Sequence, residues 1–288
     1  MERIVLYPCE YGNINKVDED YKFEQMIAQK NGIITYLFNY DAFTSMGEKL
    51  KLNFGRIDKT NQIQAIYRGW MMKPEKYKEF YEELLIKHNI KLVNNPEEYE
   101  NAHLFNKAFD KLMDYTPKIA IYYGNEEIDW DEAKNYFDKF MIKDFVKSVK
   151  EWDFPEYFDY TYTNTQMEQY VKRFKELRGD LLTGGIILKE YVELDKTGGN
   201  THEFRGFFYR GRLITLYHNS DNHSDSLDKV IKFANKLPKL ESNFYTIDFA
   251  ITKDNKIIVI ECGDGQVSGL PSEKEADLLY ESLEKYKG

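Results

Sequence analysis

FYTIDFAITKDNKIIVIECGDG, residues 244–265, carries two apolar, β-branched arms around a polar centre, Asp254-Asn255. Such arms joined by turn residues predict a β-hairpin. With Asp254 and Asn255 at the turn centre, Lys253 pairs with Lys256, and counting outward sets Asp248 directly opposite Glu261. That register puts Ile247, Phe249 and Ile251 on one face with Ile258, Ile260 and Cys262, the expected core face. On the other face two carboxylates meet, and like charges opposed across a sheet destabilise it unless something positive lies between them. A divalent cation answers that need. Mg²⁺ in particular is held by one or two carboxylates plus substrate phosphates. The alternative is an exposed hairpin edge whose acids point into water.

Composition bounds the rest. A chain of 288 residues with 42% hydrophobic and 16% aromatic content can bury a substantial core in one or two domains. The net charge of −9 leaves no excess of Lys and Arg to neutralise phosphates broadly, which argues against a general nucleic-acid binder while leaving room for a local basic patch. Cys9 and Cys262 are too few for a disulfide framework and suit a reducing compartment. No apolar run approaches the roughly 18 residues of a membrane span, and the start MERIVLYPCEYG turns polar too early for a signal peptide. The expected location is the cytoplasm.

Before the hairpin, Ile4 to Tyr7, a helix over Tyr21 to Lys30 and a strand over Ile33 to Phe38 give a β-α-β order and predict a parallel sheet. Strands near Gln64 to Tyr67 and Lys91 to Val93, with a helix opened by Pro74 between them, extend it. Arg68 follows directly on a strand whose carboxyl end faces the ligand crevice of an open α/β sheet, where its planar fork can clamp carboxylate or phosphate. A surface arginine at a loop start is the plainer reading. Further on, a helix from Asn106 to Met113 contains Lys107, and strands are expected over Lys118 to Tyr123, Asp138 to Val146 and Ile186 to Val192. Lys143 and Lys189 sit inside apolar strand segments, costly positions unless they meet an anion or water. Lys139, Lys143, Lys147 and Lys150 concentrate positive charge within an acidic protein and mark the expected anion site, against a solvated face.

Glu203 to Tyr209 and Arg212 to His218 form a second expected hairpin, with Glu203 and Arg205 on one face. His218, Asp221, His223 and Asp225 crowd a loop, but their spacing matches no tight metal site, and Ser224 or Asp225 serves better as a cap for the helix Leu227 to Leu237. A last helix over Glu273 to Tyr286 starts with Ser272 and Glu275 as a capping box. No Walker loop, GxGxxG, GxSxG or nucleophilic Cys/His pair is present.

Two separated strand lysines, an apolar strand with an acidic end, a Glu203-Phe204-Arg205 arm and Asp248 with Glu261 on paired strands resemble, in this order, the ATP-grasp superfamily. The resemblance covers nearly the whole chain and is strongest from about Asn101 to Pro271. Arg68 with the Lys143-Asp-Phe-Val-Lys147-Ser segment resembles more particularly the clade named for two arginines and one lysine.

The resemblance implies an α+β ATP-grasp fold with an N-terminal α/β pre-ATP-grasp domain, residues 1–100, and a nucleotide-binding catalytic domain, residues 101–288. It implies ATP and Mg²⁺ as cofactors, with nucleotide held between two α+β subdomains. Lys107 and Lys143 then contact phosphates, Lys189 lies at the adenine end, and Glu190, Tyr191 and Val192 form the hinge against the adenine edge, with Glu193 as a ribose contact. Glu203 and Arg205 match the acid-x-Arg arm whose arginine faces the terminal phosphate and acyl group; Arg68 and Lys147 would help to hold that substrate. Asp248 and Glu261 match the metal-binding acids. The family's Asn two residues beyond that glutamate is Gly263 here, so either Asp264 replaces it as a ligand or a second metal is held more weakly.

Phosphoryl transfer needs positioning and charge neutralisation rather than a covalent nucleophile, which fits this residue set. The expected activity is an ATP-dependent ligase joining a carboxylate to an amine through an acylphosphate, on a small molecule, peptide or protein. A nucleic-acid-directed enzyme such as an RNA ligase, for which net charge −9 is unfavourable, and a nucleotide-binding protein without turnover are the competing readings.

Overall fold

A computed structural model of the chain describes residues 3–54, 61–124, 126–149, 151–219 and 226–286. Its first sheet is built from β1 (Arg3–Glu10), β2 (Asn13–Val17), β3 (Ile34–Phe38), β4 (Ile63–Tyr67) and β5 (Ile90–Leu92). β1 lies parallel to both β3 and β4, and β5 parallel to β4; β2 folds back antiparallel on the end of β1. The expected parallel sheet is therefore present. Helices α1 (Lys22–Lys30), α2 (Tyr40–Thr44) and α3 (Pro74–His88) make its crossovers, and Pro74 at the first turn of α3 sits where a missing N–H costs nothing. Asn95 caps α4 (Pro96–His103) in a capping box with Glu98, and α5 (Phe105–Leu112) follows at once.

Two four-stranded sheets make up the rest. β6 (Ile119–Tyr123), β7 (Lys139–Lys143), β8 (Phe158–Asp159) and β9 (Gly185–Glu190) pair in the order β6-β9-β7-β8, backed by α6 (Trp130–Tyr136) and α7 (Asn164–Arg178). β10 (Glu203–Tyr209), β11 (Arg212–His218), β12 (Phe244–Ile251) and β13 (Ile257–Asp264) pair in the order β11-β10-β12-β13, with α8 (Leu227–Ala234) packed beneath. The expected strand over Asp138 to Val146 ends at Lys143, where Asp144 turns the chain: its buried carboxylate accepts the backbone N–H of Val146 at 2.7 Å and of Lys147 at 2.6 Å. Asp221, His223, Ser224 and Asp225 lie outside the described residues, as does Lys150.

The hairpin β12–β13 places Asp248 opposite Glu261 as expected, by a different route. Ile251 pairs with Ile257, so the loop holds three central residues rather than two, closed by Thr252 N–H to the Lys256 carbonyl at 2.8 Å. Asn255 occupies the left-handed region at φ +59°, as the last position of a three-residue loop requires. This shifts the pairing by one residue, and a bulge beyond Phe249–Val259 shifts it back, with Ile260 as the extra residue. The core face consequently reads Ile247, Phe249, Ile251, Val259 and Cys262, packed on α5 and α8. Ile258 and Ile260, expected in that core, face the opposite side.

The C-terminal helix α9 (Glu273–Lys285) returns to the first sheet and packs against α1. Ala276, Leu279, Tyr280 and Leu283 share one core with Val5, Tyr7, Ile27 and Phe244, so the two ends of the chain stabilise each other. Each fully buried Leu, Val or Phe among them contributes about 1.5–3 kcal/mol.

Candidate active site

A cleft of about 900 Å³ opens between the two four-stranded sheets. β7 and β9 supply its first wall. Lys143 pairs with Ile187 and Met141 with Lys189, so the two lysines are diagonal neighbours on one face. Both are buried, and the Phe105 ring lies 4.8 Å from the Lys143 ammonium and 4.5 Å from that of Lys189. Lys143 reaches Glu261 at 3.3 Å, and Lys189 donates to the Ile260 carbonyl. Burial, reinforced by the Lys143 charge, lowers the Lys189 ammonium to about 7.

The second wall is a row of charges across three strands. Arg205 on β10 pairs with Asp248 on β12, which pairs with Glu261 on β13. Arg205 bonds Asp248 through Nε and Nη2, each at 2.7 Å, a bidentate fork. Burial raises Asp248 more than Arg205 lowers it. At Glu261 burial acts the same way, but Lys143, Lys147, Lys189 and Arg205 prevail and hold its carboxyl below the ordinary value. Lys147, on the turn shaped by Asp144, lines the cleft without an ion pair to any described residue.

At the far end, Glu190, Tyr191 and Val192 line the cleft. The Glu190 carboxylate accepts the Lys118 N–H at 3.1 Å, the Tyr191 N–H bonds the Lys139 carbonyl at 2.9 Å, and the Tyr191 hydroxyl meets Glu156 at 3.2 Å. Met141, with Ile258 and Ile260 from the bulged strand, gives this end apolar walls. Glu203, bonded by the Thr201 hydroxyl at 2.6 Å, stands at the side.

Ten of the residues singled out from sequence thus converge: Lys143, Lys147, Lys189, Glu190, Tyr191, Val192, Glu203, Arg205, Asp248 and Glu261. Four do not. Lys107 is on the exposed side of α5, paired with Glu100 at 3.1 Å. Glu193 turns out to pair with Lys253 at 2.9 Å. Arg68 is 1% exposed and spends its fork on an internal acid, Glu24, at 2.6 and 3.0 Å. Asp264 is fully buried among Asn94 and Gln266, because strand alternation puts it on the face opposite Glu261. On the cleft side, the space beside Gly263 is held by the Thr246 and Ser268 hydroxyls, 2.7 Å apart. Sequence reading misses Ile258 and Ile260, whose signal is hidden by the bulge, and Lys196 and Trp152, which stand in loops with no local signature.

Residues 128–283 match a family model for the ATP-grasp domain, family 3 of the clade named for two arginines and one lysine. The chain belongs to this family. No curated protein matches it by sequence. Among solved structures it is similar to D-cycloserine synthetase DcsG, with a TM-score of 0.58 and 13% identity over 98% of this chain and 99% of that one. It is similar also to the ATP-grasp ligase PsnB complexed with a minimal precursor, TM-score 0.58, 11% identity, 99% of each chain covered. D-alanine–D-alanine ligase from Bacillus anthracis gives a TM-score of 0.56 at 14% identity, over 99% of this chain and 95% of that one. At these identities the likeness shows the fold.

As an ATP-grasp protein of that clade, the chain is an ATP-dependent ligase working with Mg²⁺. The site fits both cofactors. Two facing carboxylates at one end of a cation-lined cleft suit a hard divalent ion. Among the described residues no group of three or more His, Cys, Asp or Glu could hold a metal, so a cation placed between Asp248 and Glu261 would need further oxygens from phosphate or water.

Proposed function

We propose that this ATP-grasp protein joins a carboxylate to an amine through an acylphosphate. The observation that carries the reading is the row Arg205–Asp248–Glu261 facing Lys143 and Lys189 across one cleft, with Lys147 beside them. Glu261 and Asp248 hold the cation. Lys143 binds phosphate oxygens, and Lys189, which the resemblance puts at the adenine end, is assigned to the same phosphates because it is the diagonal neighbour of Lys143, while Tyr191 and Val192, with Met141 and Ile260, receive the adenine. Glu203 stands where a ribose hydroxyl would find an acceptor.

Arg205 and Lys147 orient the acyl carboxylate and the terminal phosphoryl group. A carboxylate oxygen attacks the γ-phosphorus as the bond to the β-bridging oxygen breaks, releasing ADP. An amine then attacks the acyl carbon, and inorganic phosphate leaves. The protein's share is alignment and charge neutralisation, which account for most of the barrier lowering in phosphoryl transfer.

A peptide or protein acyl substrate is our preferred class, in line with a PsnB structure that holds a precursor. We assign residues 1–100 to a pre-ATP-grasp module and residues 101–288 to the nucleotide-binding body, and place the protein in the cytoplasm, where Cys9 and Cys262 remain thiols. No described helix is long and apolar enough to cross a membrane.

The test needs no knowledge of the acceptor. Incubation with MgATP, a library of carboxylic acids and C-terminal peptides, and hydroxylamine as a surrogate amine should give hydroxamate, ADP and phosphate in equal amounts. AMP with pyrophosphate, or ATP consumption without hydroxamate for any acid, would overturn it.

A further inference from the structure

The N-terminal sheet reverses its winding beside β1: the chain leaves β1 for β3 on one side, then returns as β4 on the other. In open parallel sheets, ligands settle outside the carboxyl ends of the strands at such a point. Arg68, which follows β4, is consumed by Glu24, but the next residues are not internal. Trp70 and Met71 are 41% and 44% exposed, with Tyr21 edge-on to the indole at 5.2 Å. Nearby, Tyr11 and Met46 are 67% and 53% exposed and touch through hydroxyl and sulfur at 3.9 Å, and the Tyr40 hydroxyl bonds the Met71 carbonyl at 2.8 Å.

This aromatic and thioether surface has an acidic rim. Asp18 accepts the Trp70 indole N–H at 3.3 Å, and Asp41 pairs with no described cation. Both acids act on the Cys9 thiol near the end of β1, which burial first and then these charges push up. Cations in contact with acids here, Lys16 and Lys22, are taken by Glu10 and Glu19.

One loop connects this surface to Arg205, a lining residue of the cleft. The Gly69 N–H bonds the Gln266 carbonyl at 3.2 Å, and on the same loop the Gly269 carbonyl accepts from Arg205 at 3.2 Å.

We propose that this crevice docks the amine-bearing acceptor as its ammonium ion, which gives up a proton to water before the neutral amine attacks the acyl carbon. The inference rests on the ligase reading above. With nucleotide filling the cleft from the hinge to Arg205, an amine must approach the acyl carbon from beyond Arg205, and the loop from Gln266 to Gly269 leads there. Exposed aromatic faces attract ammonium ions, and two carboxylates repel the acyl substrate and favour a cation.

The test uses the full chain labelled at its methionine methyls with ¹³C and titrated with lysinamide, 1,5-diaminopentane and, as a control, butanoate. Met46 and Met71 methyls should shift saturably with either amine and stay fixed with butanoate, while buried Met72 and Met167 report an intact fold. Asp41→Asn should weaken amine binding at least 5-fold and Trp70→Ala at least 10-fold. Tighter binding of lysinamide points to a peptide-like acceptor, and of the diamine to a free polyamine. Equal shifts with butanoate, no shift with either amine, or unchanged affinity in both variants overturns the proposal. Saturable amine shifts in a protein that forms no hydroxamate would leave the docking site standing and defeat the ligase reading alone.

Discussion

Arg205 and Asp248 are cross-strand partners whose fork and carboxylate meet at 2.7 Å twice, so each oxygen of the acid already accepts a charged donor. A carboxylate has about four lone-pair sites, which leaves room for a cation on the side turned to Glu261. Phosphate arriving with that cation offers Arg205 a second acceptor, so the guanidinium can hold Asp248 in place while neutralising the terminal phosphoryl group.

Replacing Arg205 with Lys keeps the charge and loses the fork. Turnover should fall about 10- to 100-fold, as expected when one transition-state donor is misplaced, with the nucleotide dissociation constant changed less than about 3-fold. Glu261→Gln should instead raise the Mg²⁺ concentration for half-maximal turnover by at least about 10-fold, since the proposed function makes Glu261 a direct ligand. Rates and Mg²⁺ titrations on both variants check this. Identical profiles for the two would mean that the row does not divide its labour in this way.

Lys189 gives a pH signature. Burial first, and the neighbouring Lys143 charge second, bring its ammonium to about 7, whereas the unfolded chain keeps that proton up to the ordinary lysine value of 10.5. Between these values the unfolded state binds more protons, so this group's contribution to stability rises with pH from about 7 to about 10 and is flat below 7. Nucleotide acts in the opposite sense: phosphate favours the charged lysine, so binding takes up a proton at about pH 7.5–8 and tightens as pH falls toward about 6. Calorimetry in buffers of different ionisation enthalpy should show this uptake, and Lys189→Met should abolish it. Wild-type uptake in the variant would assign the proton elsewhere.

The carboxylate pair is legible in the sequence because the hairpin's two departures cancel. A three-residue loop slides the strands by one position, and the bulge at Ile260 slides them back before Asp248 is reached. Near the turn nothing compensates, so counting outward from a two-residue turn puts Ile258 and Ile260 on the wrong face. Lys143 and Lys189 announce themselves because a charge inside an apolar strand has few inexpensive explanations. Lys107 sits on a helix whose solvated side suits a lysine equally well, and Glu193 lies one residue beyond the hinge, where the chain has already turned it outward to Lys253. Asp264 shows the limit of reading spacing without parity: it stands one residue after Gly263, and one residue is enough to change faces.

Arg68 has the fork its place in the sequence suggests, and a different acceptor. Its Nε and Nη2 hold Glu24, a third nitrogen reaches the Gly265 carbonyl, and the same carboxylate takes the Tyr280 hydroxyl at 2.6 Å, which joins α1, β4 and α9 in one buried network. Arg68→Met should therefore act on stability. It strands the Glu24 charge in a site 2% exposed, a loss of about 3–5 kcal/mol by chemical denaturation, and Glu24→Gln added to it should recover part of that loss. Turnover per folded molecule should stay within about 2-fold of wild type, because no Arg68 nitrogen faces the cleft. A variant that folds as firmly as wild type but has lost turnover would instead return Arg68 to the substrate.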